Sequence, residues 1–431
     1  MNRLVRDRPL RILFAHYLND ETHAAARMVH SISDELRGFG HEVLVHRSID
    51  EVYRSASSTG SSPEVARRSL TSRIRNKFWF ARTLTRNAAS YQRDQEAIRR
   101  FRPDVILGRE DAYRFSIVQA ARRAGIPLVT YADAPVAYET RLFHSEVHWH
   151  PPGLVEAMER WWLDRSRAVI TPCRPSADTL RRLGSRTPIH VVPNGVDPIR
   201  FAPLETVTRR RVKHELGIPE GRTVVGFQGS FRRFHGIDLL LEMMLGTAGR
   251  DDLHWVLIGD GPERQRLQAA VEGRMAASFL GRQPAERMGE LVGAMEIATA
   301  THMKLEGSFY FCPLKILEYA ASGCAIIASA QGDIPYLLEE GRSGLILEDC
   351  DPKQWIAALD SLLIDPSRRA RLGRNAREWV AGNLTWRDCA RRVETILFDV
   401  LEVEPSGRVS TPPRFHGAVT RSSSAAIANS N

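Results

Sequence analysis

Two successive doubly wound α/β lobes facing a central cleft are the architecture that this 431-residue chain predicts. Three observations predict it. Short β-rich runs alternate with longer helical stretches, the alternation restarts near residue 196, and the length suits two domains of ~100–200 residues each. A composition of 43% apolar and 26% charged residues supplies two cores and excludes a mainly disordered chain. No apolar run reaches the ~20 residues that a bilayer-spanning helix needs, and the basic start Met1–Arg8 has no apolar block behind it. The expected location is therefore the cytoplasm, either in solution or peripherally at the inner face of a membrane.

The first lobe, residues 1–195, has six expected strands: Arg11–His16, Glu42–His46, Asp104–Leu107, Pro127–Tyr131, Ala168–Thr171 and His190–Val192. Between the first two, Ala25, Met28, Val29, Ile32 and Leu36 recur at helical spacing. The second lobe, residues 196–385, repeats the pattern with Thr223–Phe227, Trp255–Ile258, Ser278–Leu280, Glu296–Ala298, Ala325–Ala328 and Leu345–Leu347. Its helices are expected to begin near Ile237, Glu263, Pro284, Leu314 and Pro352. A C-terminal helix follows at 386–403. Residues 404–431, rich in Ser, Pro, Gly and Ala, read as a disordered tail, and 55–63 as a flexible loop.

Charge is unevenly distributed. The whole chain is +9, with residues 1–195 at +10 and residues 196–431 at −1. A basic excess favours an anionic partner: a phosphorylated substrate, a membrane surface or nucleic acid. Residues 70–86 set Leu70, Ile74, Phe78, Ala81 and Leu84 among Arg73, Arg75, Lys77, Arg82 and Arg86, beside Trp79. This reads either as a basic amphipathic helix for an anionic membrane or as a core-facing helix with a solvated basic face. Nucleic acid is the weaker partner, because no binding module accompanies the charge. The five cysteines are scattered without a Cys-x-x-Cys pair and are expected reduced and packed.

The chemistry concentrates in the second lobe. Val192-Pro193-Asn194-Gly195 is followed by Gly229-Ser230-Phe231-Arg232-Arg233-Phe234-His235-Gly236, then Gly259-Asp260-Gly261-Pro262, then Pro313-Leu314-Lys315-Ile316-Leu317-Glu318-Tyr319-Ala320-Ala321. Gly229 ends a strand, and a glycine there lets backbone approach a phosphate. The next helix adds N–H donors, and Arg232 and Arg233 can neutralise a diphosphate. Pro262 suits the first position of a helix, so Gly259–Pro262 also reads as a structural turn. Asp349-Cys350-Asp351 has a metal-like spacing, but Asp351-Pro352 reads as an N-cap and first helical residue, so no metal site is expected there.

In this order the motifs resemble the nucleotide-sugar lobe of family-4 glycosyltransferases (group 1 type), strongly over residues 190–385 and weakly before that. The resemblance implies the GT-B fold of two Rossmann-like lobes and transfer of a sugar from a nucleotide-sugar donor to an acceptor hydroxyl. It also implies retention of configuration and no bound metal or other cofactor. Gly229, Arg232, Arg233, His235, Gly261, Arg282 and Lys315 are the expected donor contacts, and Glu318, placed in the first turn of its helix, is expected on the nucleotide ribose. The chain departs from the family at Ser230 and His235, where many members have Arg and Lys, and at Tyr310, where a second glutamate often stands. Tyr310 is expected to touch the sugar by its hydroxyl or through the backbone around it.

In the first lobe, Asp133 follows a strand and faces the expected cleft, with Glu139 nearby; these are the candidate catalytic or acceptor-binding carboxylates. His144, His148 and His150 lack metal-helix spacing and read as loop residues. The Asn19–His23 loop carries no Gly-Gly pair, and the acceptor remains open among a sugar, a lipid-linked sugar and a small molecule. The rival functions are an epimerase or phosphorylase on the same fold and an inactive nucleotide-sugar-binding protein.

Overall fold

The computed structural model describes residues 8–18, 24–49, 70–111, 113–144, 153–305, 307 and 309–402. The 55–63 run, the Asn19–His23 loop, His148, His150, Trp79's side chain and the 404–431 segment lie outside the described residues.

All twelve expected strands form, with ends shifted by a few residues at most. The first sheet holds β1 (Arg11–His16), β2 (Glu42–Arg47), β3 (Val105–Arg109), β4 (Leu128–Tyr131), β5 (Ala168–Thr171) and β6 (Ile189–Val191) in the order β2-β1-β3-β4-β5-β6. The second holds β7 (Thr223–Gln228), β8 (Leu253–Ile258), β9 (Ala277–Gly281), β10 (Ile297–Ala300), β11 (Ala325–Ser329) and β12 (Leu345–Leu347) in the order β12-β11-β10-β7-β8-β9. Every pairing is parallel. Parallel strands need crossover helices on both faces, so central strands are buried on both sides and read as continuous apolar runs. β8, with the sequence LHWVLI, is buried along its whole length.

Each sheet reverses its winding once, between β1 and β3 in the first lobe and between β7 and β10 in the second. Ligands of doubly wound sheets bind outside the carboxyl ends of the strands at such points. The loops after β7 and β10 therefore define one wall of the cleft, and those after β3 and β4 contribute to the other.

Local chemistry sets the helix boundaries. Asp351 accepts a hydrogen bond from Lys353 N–H at 3.1 Å with Pro352 at the first helical position, which makes it a cap. Asp365 does the same for Pro366–Asn383. Thr385 Oγ1 and the Asp388 carboxylate exchange backbone hydrogen bonds, each 3.1 Å long, as a capping box that starts helix Trp386–Glu402. Glu318 lies one turn deeper than expected: its helix begins at Leu314, so Lys315 takes the first turn and Glu318 the second.

The long helix Leu70–Phe101 exceeds the expected 70–86 segment. Asn87 Nδ2 donates to the Tyr113 carbonyl and its Oδ1 accepts from Phe115 N–H, both at 2.8 Å. Buried Asp94 joins His46 at 2.8 Å and Ser116 at 2.5 Å. The second half of the helix is thus fastened to the segment after β3.

The last helix returns to the first lobe. Cys389, Ala390, Val393, Ile396 and Leu397 pack in one core with Ile12, Phe14, Val29 and Ile170. Val196 pairs with Thr385 where the chain crosses over. A Cβ on Gly195 would overlap the Trp386 backbone nitrogen, so glycine is required there for close approach. Gly195→Ala is expected to cost about 1–3 kcal/mol of stability through overpacking. An unchanged urea midpoint would show that the crossover gives way freely.

Candidate active site

The turn after β7 is built by close backbone contact. A Cβ on Gly259 would overlap the Gly229 carbonyl, and one on Gly261 would overlap the Ser230 carbonyl. Gly229 N–H donates to the Ile258 carbonyl at 2.9 Å and Gly259 N–H to the Gly281 carbonyl at 2.8 Å, which join the ends of β7, β8 and β9. Gly261 is thus positioned as a structural support for the Gly229–Arg233 loop. Arg282 follows Gly281 as an exposed residue at this edge. Within the loop, Phe231 takes a left-handed φ of 43° and buries its ring against Phe227, with centroids 5.4 Å apart. That turn leaves Arg232 and Arg233 exposed at the loop's outer side.

The two arginines diverge. Arg233 leans towards Glu263, 3.6 Å away on its own lobe. Arg232 instead bears electrostatically on Glu139 across the cleft and on His235. His235 ends the 3₁₀ turn Arg233–His235, buried among Phe227, Phe234 and His302. Its Nδ1 has no hydrogen-bond partner and lies beneath Gly229, where an added Cβ would crowd it. Burial first, then Lys315, His302 and Arg232, pull its pKa far down, so the ring is neutral. His302 is depressed by burial and Lys315 in the same way.

Lys315 is the centre of this wall. Its ammonium is shut from water, has no hydrogen-bond partner and lies 4.6 Å from the Phe227 ring centroid. Burial pulls it down to about 7, with only Glu318 opposing. One turn on, Glu318 accepts a hydrogen bond from Gln228 Nε2, and Arg27 of the first lobe stands 3.5 Å from its other oxygen. Burial raises the Glu318 pKa against Arg27 and Gln228. The Gln228 backbone N–H donates to the Tyr319 hydroxyl at 2.6 Å, so this helix is tied directly to the end of β7.

Across the cleft, β3 and β4 deliver a charged cluster. Arg109 Nη2 donates to Asp133 Oδ2 at 2.9 Å. Glu110 and Asp111 follow Arg109, and burial raises both carboxyls. Glu139 closes the short helix Val136–Glu139, whose N-terminal N–H groups at 136 and 137 are held by buried Glu159 at 2.7 and 3.0 Å. Burial and then Asp133 raise the Glu139 pKa.

The second lobe meets this cluster through Tyr310. Its ring packs edge-on to Tyr138 at 5.6 Å, and its hydroxyl is driven far up by burial and by Glu139. Cys173 Sγ donates to the Tyr310 carbonyl at 2.9 Å, and Asn194 Nδ2 to the Cys312 carbonyl at 3.1 Å. Arg174 grips Asp333 by its backbone N–H and by Nε, both at 2.8 Å. The loop carrying Tyr310 is therefore held by the first lobe.

The structure brings together Gly229, His235, Lys315 and Glu318 on one wall, and Asp133, Glu139 and Tyr310 at the seam with Arg232 above them. It does not gather Arg233 or Arg282 into either group. Arg27, Arg109 and Gln228 were not anticipated. All are single residues whose roles come from strand and helix placement, with no motif around them. Among the described residues, no group of three or more His, Cys, Asp or Glu side chains is placed to hold a metal ion, and no helix is long and apolar enough to cross a membrane.

The fold and this site define a two-lobed, GT-B-like protein with its cleft between parallel sheets. Residues 25–200 match the family model of Glycosyltransferase Family 4, and residues 208–379 that of Glycosyl transferases group 1. The chain belongs to this glycosyltransferase family. It is 29% identical over 232 residues to a D-inositol 3-phosphate glycosyltransferase of Corynebacterium kroppenstedtii, covering 51% of this chain and 50% of that protein. The chain thus spans about half the length of the curated relatives it matches. Its fold is similar to a sucrose-phosphate synthase from Thermosynechococcus elongatus (TM-score 0.69, 16% identity, 90% of this chain and 98% of the other). It is also similar to Anabaena HepE solved with UDP and glucose (TM-score 0.67, 16% identity, 90% and 100%).

Lys315 generates a stability prediction. Its folded-state pKa of about 7 lies below its ordinary 10.5, so between those values the unfolded chain binds the extra proton and stability rises with pH. Below that window both states are protonated and the full penalty stands. Lys315→Met should therefore be more stable than the wild type at pH 7, with the gap closing as pH approaches about 10. Denaturation curves across that range check it; a destabilised variant with an unchanged pH slope would contradict the assignment.

Proposed function

We propose that the chain moves a sugar from a nucleoside diphosphate sugar to an acceptor hydroxyl. The observation that carries this reading is Lys315, a buried amine with no hydrogen-bond partner, on the wall below the Gly229 turn and one helical turn from a carboxylate. A buried unpaired charge is costly, and a diphosphate is the partner that the surrounding donors suit. In this reading the diphosphate lies over Gly229, with Lys315 and Arg232 supplying charge and His235 a hydrogen bond. Glu318, oriented by Gln228, accepts hydrogen bonds from the ribose hydroxyls. Arg282, Gly261 and Arg233 border the donor without holding its charge.

The acceptor occupies the first-lobe side, with its hydroxyl oriented by Glu139 and Asp133 and the sugar near Tyr310. The bond from the anomeric carbon to the diphosphate breaks with its electron pair leaving on oxygen, where Lys315 and Arg232 stabilise the developing charge. The acceptor oxygen bonds to the same carbon from the face being vacated, which retains configuration, and its proton passes to the leaving oxygen. Cationic side chains fill the charge-stabilising role here, so this route uses no metal. The D-inositol 3-phosphate glycosyltransferase relative supports glycosyl transfer, and the fold relative solved with UDP and glucose supports a nucleoside diphosphate donor. The basic first lobe also supports peripheral contact with an anionic membrane surface.

Two outcomes test this placement. Glu318→Ala should weaken binding of the nucleoside diphosphate by roughly 1.5–3 kcal/mol, the worth of a charge-assisted hydrogen bond. Unchanged affinity in calorimetry would remove Glu318 from the site. Arg232→Ala should impair sugar transfer strongly and Arg233→Ala mildly, since Arg233 is engaged by Glu263. Equal kinetics in the two variants would show that the diphosphate lies elsewhere.

A further inference from the structure

Arg27 carries a positive charge from the first lobe to the second-lobe wall. It lies in the first turn of helix Ala24–Gly38, which follows β1 where the first sheet reverses its winding. Met28, Val29, Ile32 and Leu36 bury the other side of this helix in the first-lobe core, so its position does not depend on Arg27. Across the cleft, Arg27 Nη1 stands 3.5 Å from Glu318 Oε1.

Two observations show that this pair leaves Arg27 largely unspent. A well-made arginine–carboxylate contact is bidentate, with N···O distances of about 2.7–2.9 Å, whereas this one is single and longer. Gln228 Nε2 engages the other Glu318 oxygen, so the carboxylate does not present both oxygens to the guanidinium. Independently, Arg27 Nε is shut from solvent and has no hydrogen-bond partner among the described residues. Buried N–H groups are nearly always paired. In a guanidinium, Nε–H and Nη2–H point the same way along one edge, away from Nη1. The edge that grips two oxygens of an anion is therefore the edge that Glu318 does not use.

An oxyanion with two oxygens to share complements that free edge. In the glycosyl-transfer reading Glu318 takes the ribose, and the phosphates run from it towards Gly229 and Lys315. We propose that Arg27 is a donor-binding residue supplied by the first lobe: its Nε–Nη2 edge grips a phosphate of the nucleoside diphosphate while Nη1 stays beside Glu318. The donor phosphates then lie between Lys315 of one lobe and Arg27 of the other, so donor loading and closure of the cleft reinforce each other. Charge developing on the leaving oxygen meets a further cation besides Lys315 and Arg232. Arg27 is also the foremost group opposing the upward push of burial on the Glu318 pKa. This inference rests on the glycosyl-transfer reading and adds a residue to its donor site.

A double-mutant cycle separates a phosphate contact from a plain ion pair with Glu318. UDP and GDP are titrated calorimetrically into the whole protein and into Arg27→Met, each with Glu318 intact and with Glu318→Gln. For the preferred nucleotide, Arg27→Met is expected to lose about tenfold in affinity, the equivalent of one charge-assisted hydrogen bond, and to lose it in both backgrounds. Arg27→Lys, which keeps the charge but not the two-pronged edge, should fall between. Melting curves of the empty variants verify folding, which a partly exposed side chain on a core-anchored helix leaves intact. Wild-type affinity in either Arg27 variant, or a loss that vanishes with Glu318→Gln, would overturn the proposal and leave the donor reading standing. Failure of the wild type to bind either nucleotide would overturn both.

Discussion

A lysine ammonium closed off from water, with no carboxylate or carbonyl to receive its protons, governs the second-lobe wall of the cleft. Lys315 is held there by a helix that begins at Leu314 and is tied to β7 through Tyr319 and Gln228. Burial, with Lys315 second, keeps His235 and His302 neutral, and Glu318 is the one group that opposes the depression of Lys315. Such an arrangement sacrifices stability in the empty protein, and in the proposed reading it serves as an electrostatic trap for the donor's diphosphate. The glycines of the β7, β8 and β9 turns keep backbone close behind the trap, so their contribution is one of shape.

The opposing lobe complements this wall through contacts that bridge the cleft. Arg27 reaches towards Glu318, Arg174 holds Asp333, and Cys173 and Asn194 fasten the carbonyls of Tyr310 and Cys312. The crossover at Val196 and Thr385 returns the last helix to the first-lobe core. Side chains from both lobes therefore meet at Tyr310 and Glu139, and the chemistry assigned to the cleft depends on their relative placement. The long helix Leu70–Phe101 reaches the same region through Asp94 and Asn87, which links the basic flank of the lobe to the loop after β3.

Much of the fold was legible because buried parallel strands announce themselves as apolar runs, and because caps such as Asp351-Pro352 state where a helix begins. Asp365-Pro366 carries the same signature for the helix Pro366–Asn383. At the site, Lys315 and Glu318 were legible from their motif, but the burial that gives Lys315 its character was not. Arg27, Arg109 and Gln228 were hidden because the placement of a helix and two strand ends, not a motif, brings them to the cleft. The difference between Arg232 and Arg233 depends on Phe231 entering the left-handed region, and a phenylalanine gives no warning of that. The basic balance of the first lobe pointed towards an anionic partner, but not to the buried carboxyls gathered after β3 and β4, whose pKa values burial raises.

The most direct measurement is the proton balance of nucleoside diphosphate binding. UDP and GDP are titrated into the protein near pH 8 in buffers of differing ionisation enthalpy. An ammonium near 7 when empty must take up a proton to meet the diphosphate. The account predicts uptake of about one proton per ligand bound for the preferred nucleotide, lost in Lys315→Met. Binding without proton uptake, or uptake that survives in that variant, would contradict the placement of the donor phosphates on Lys315.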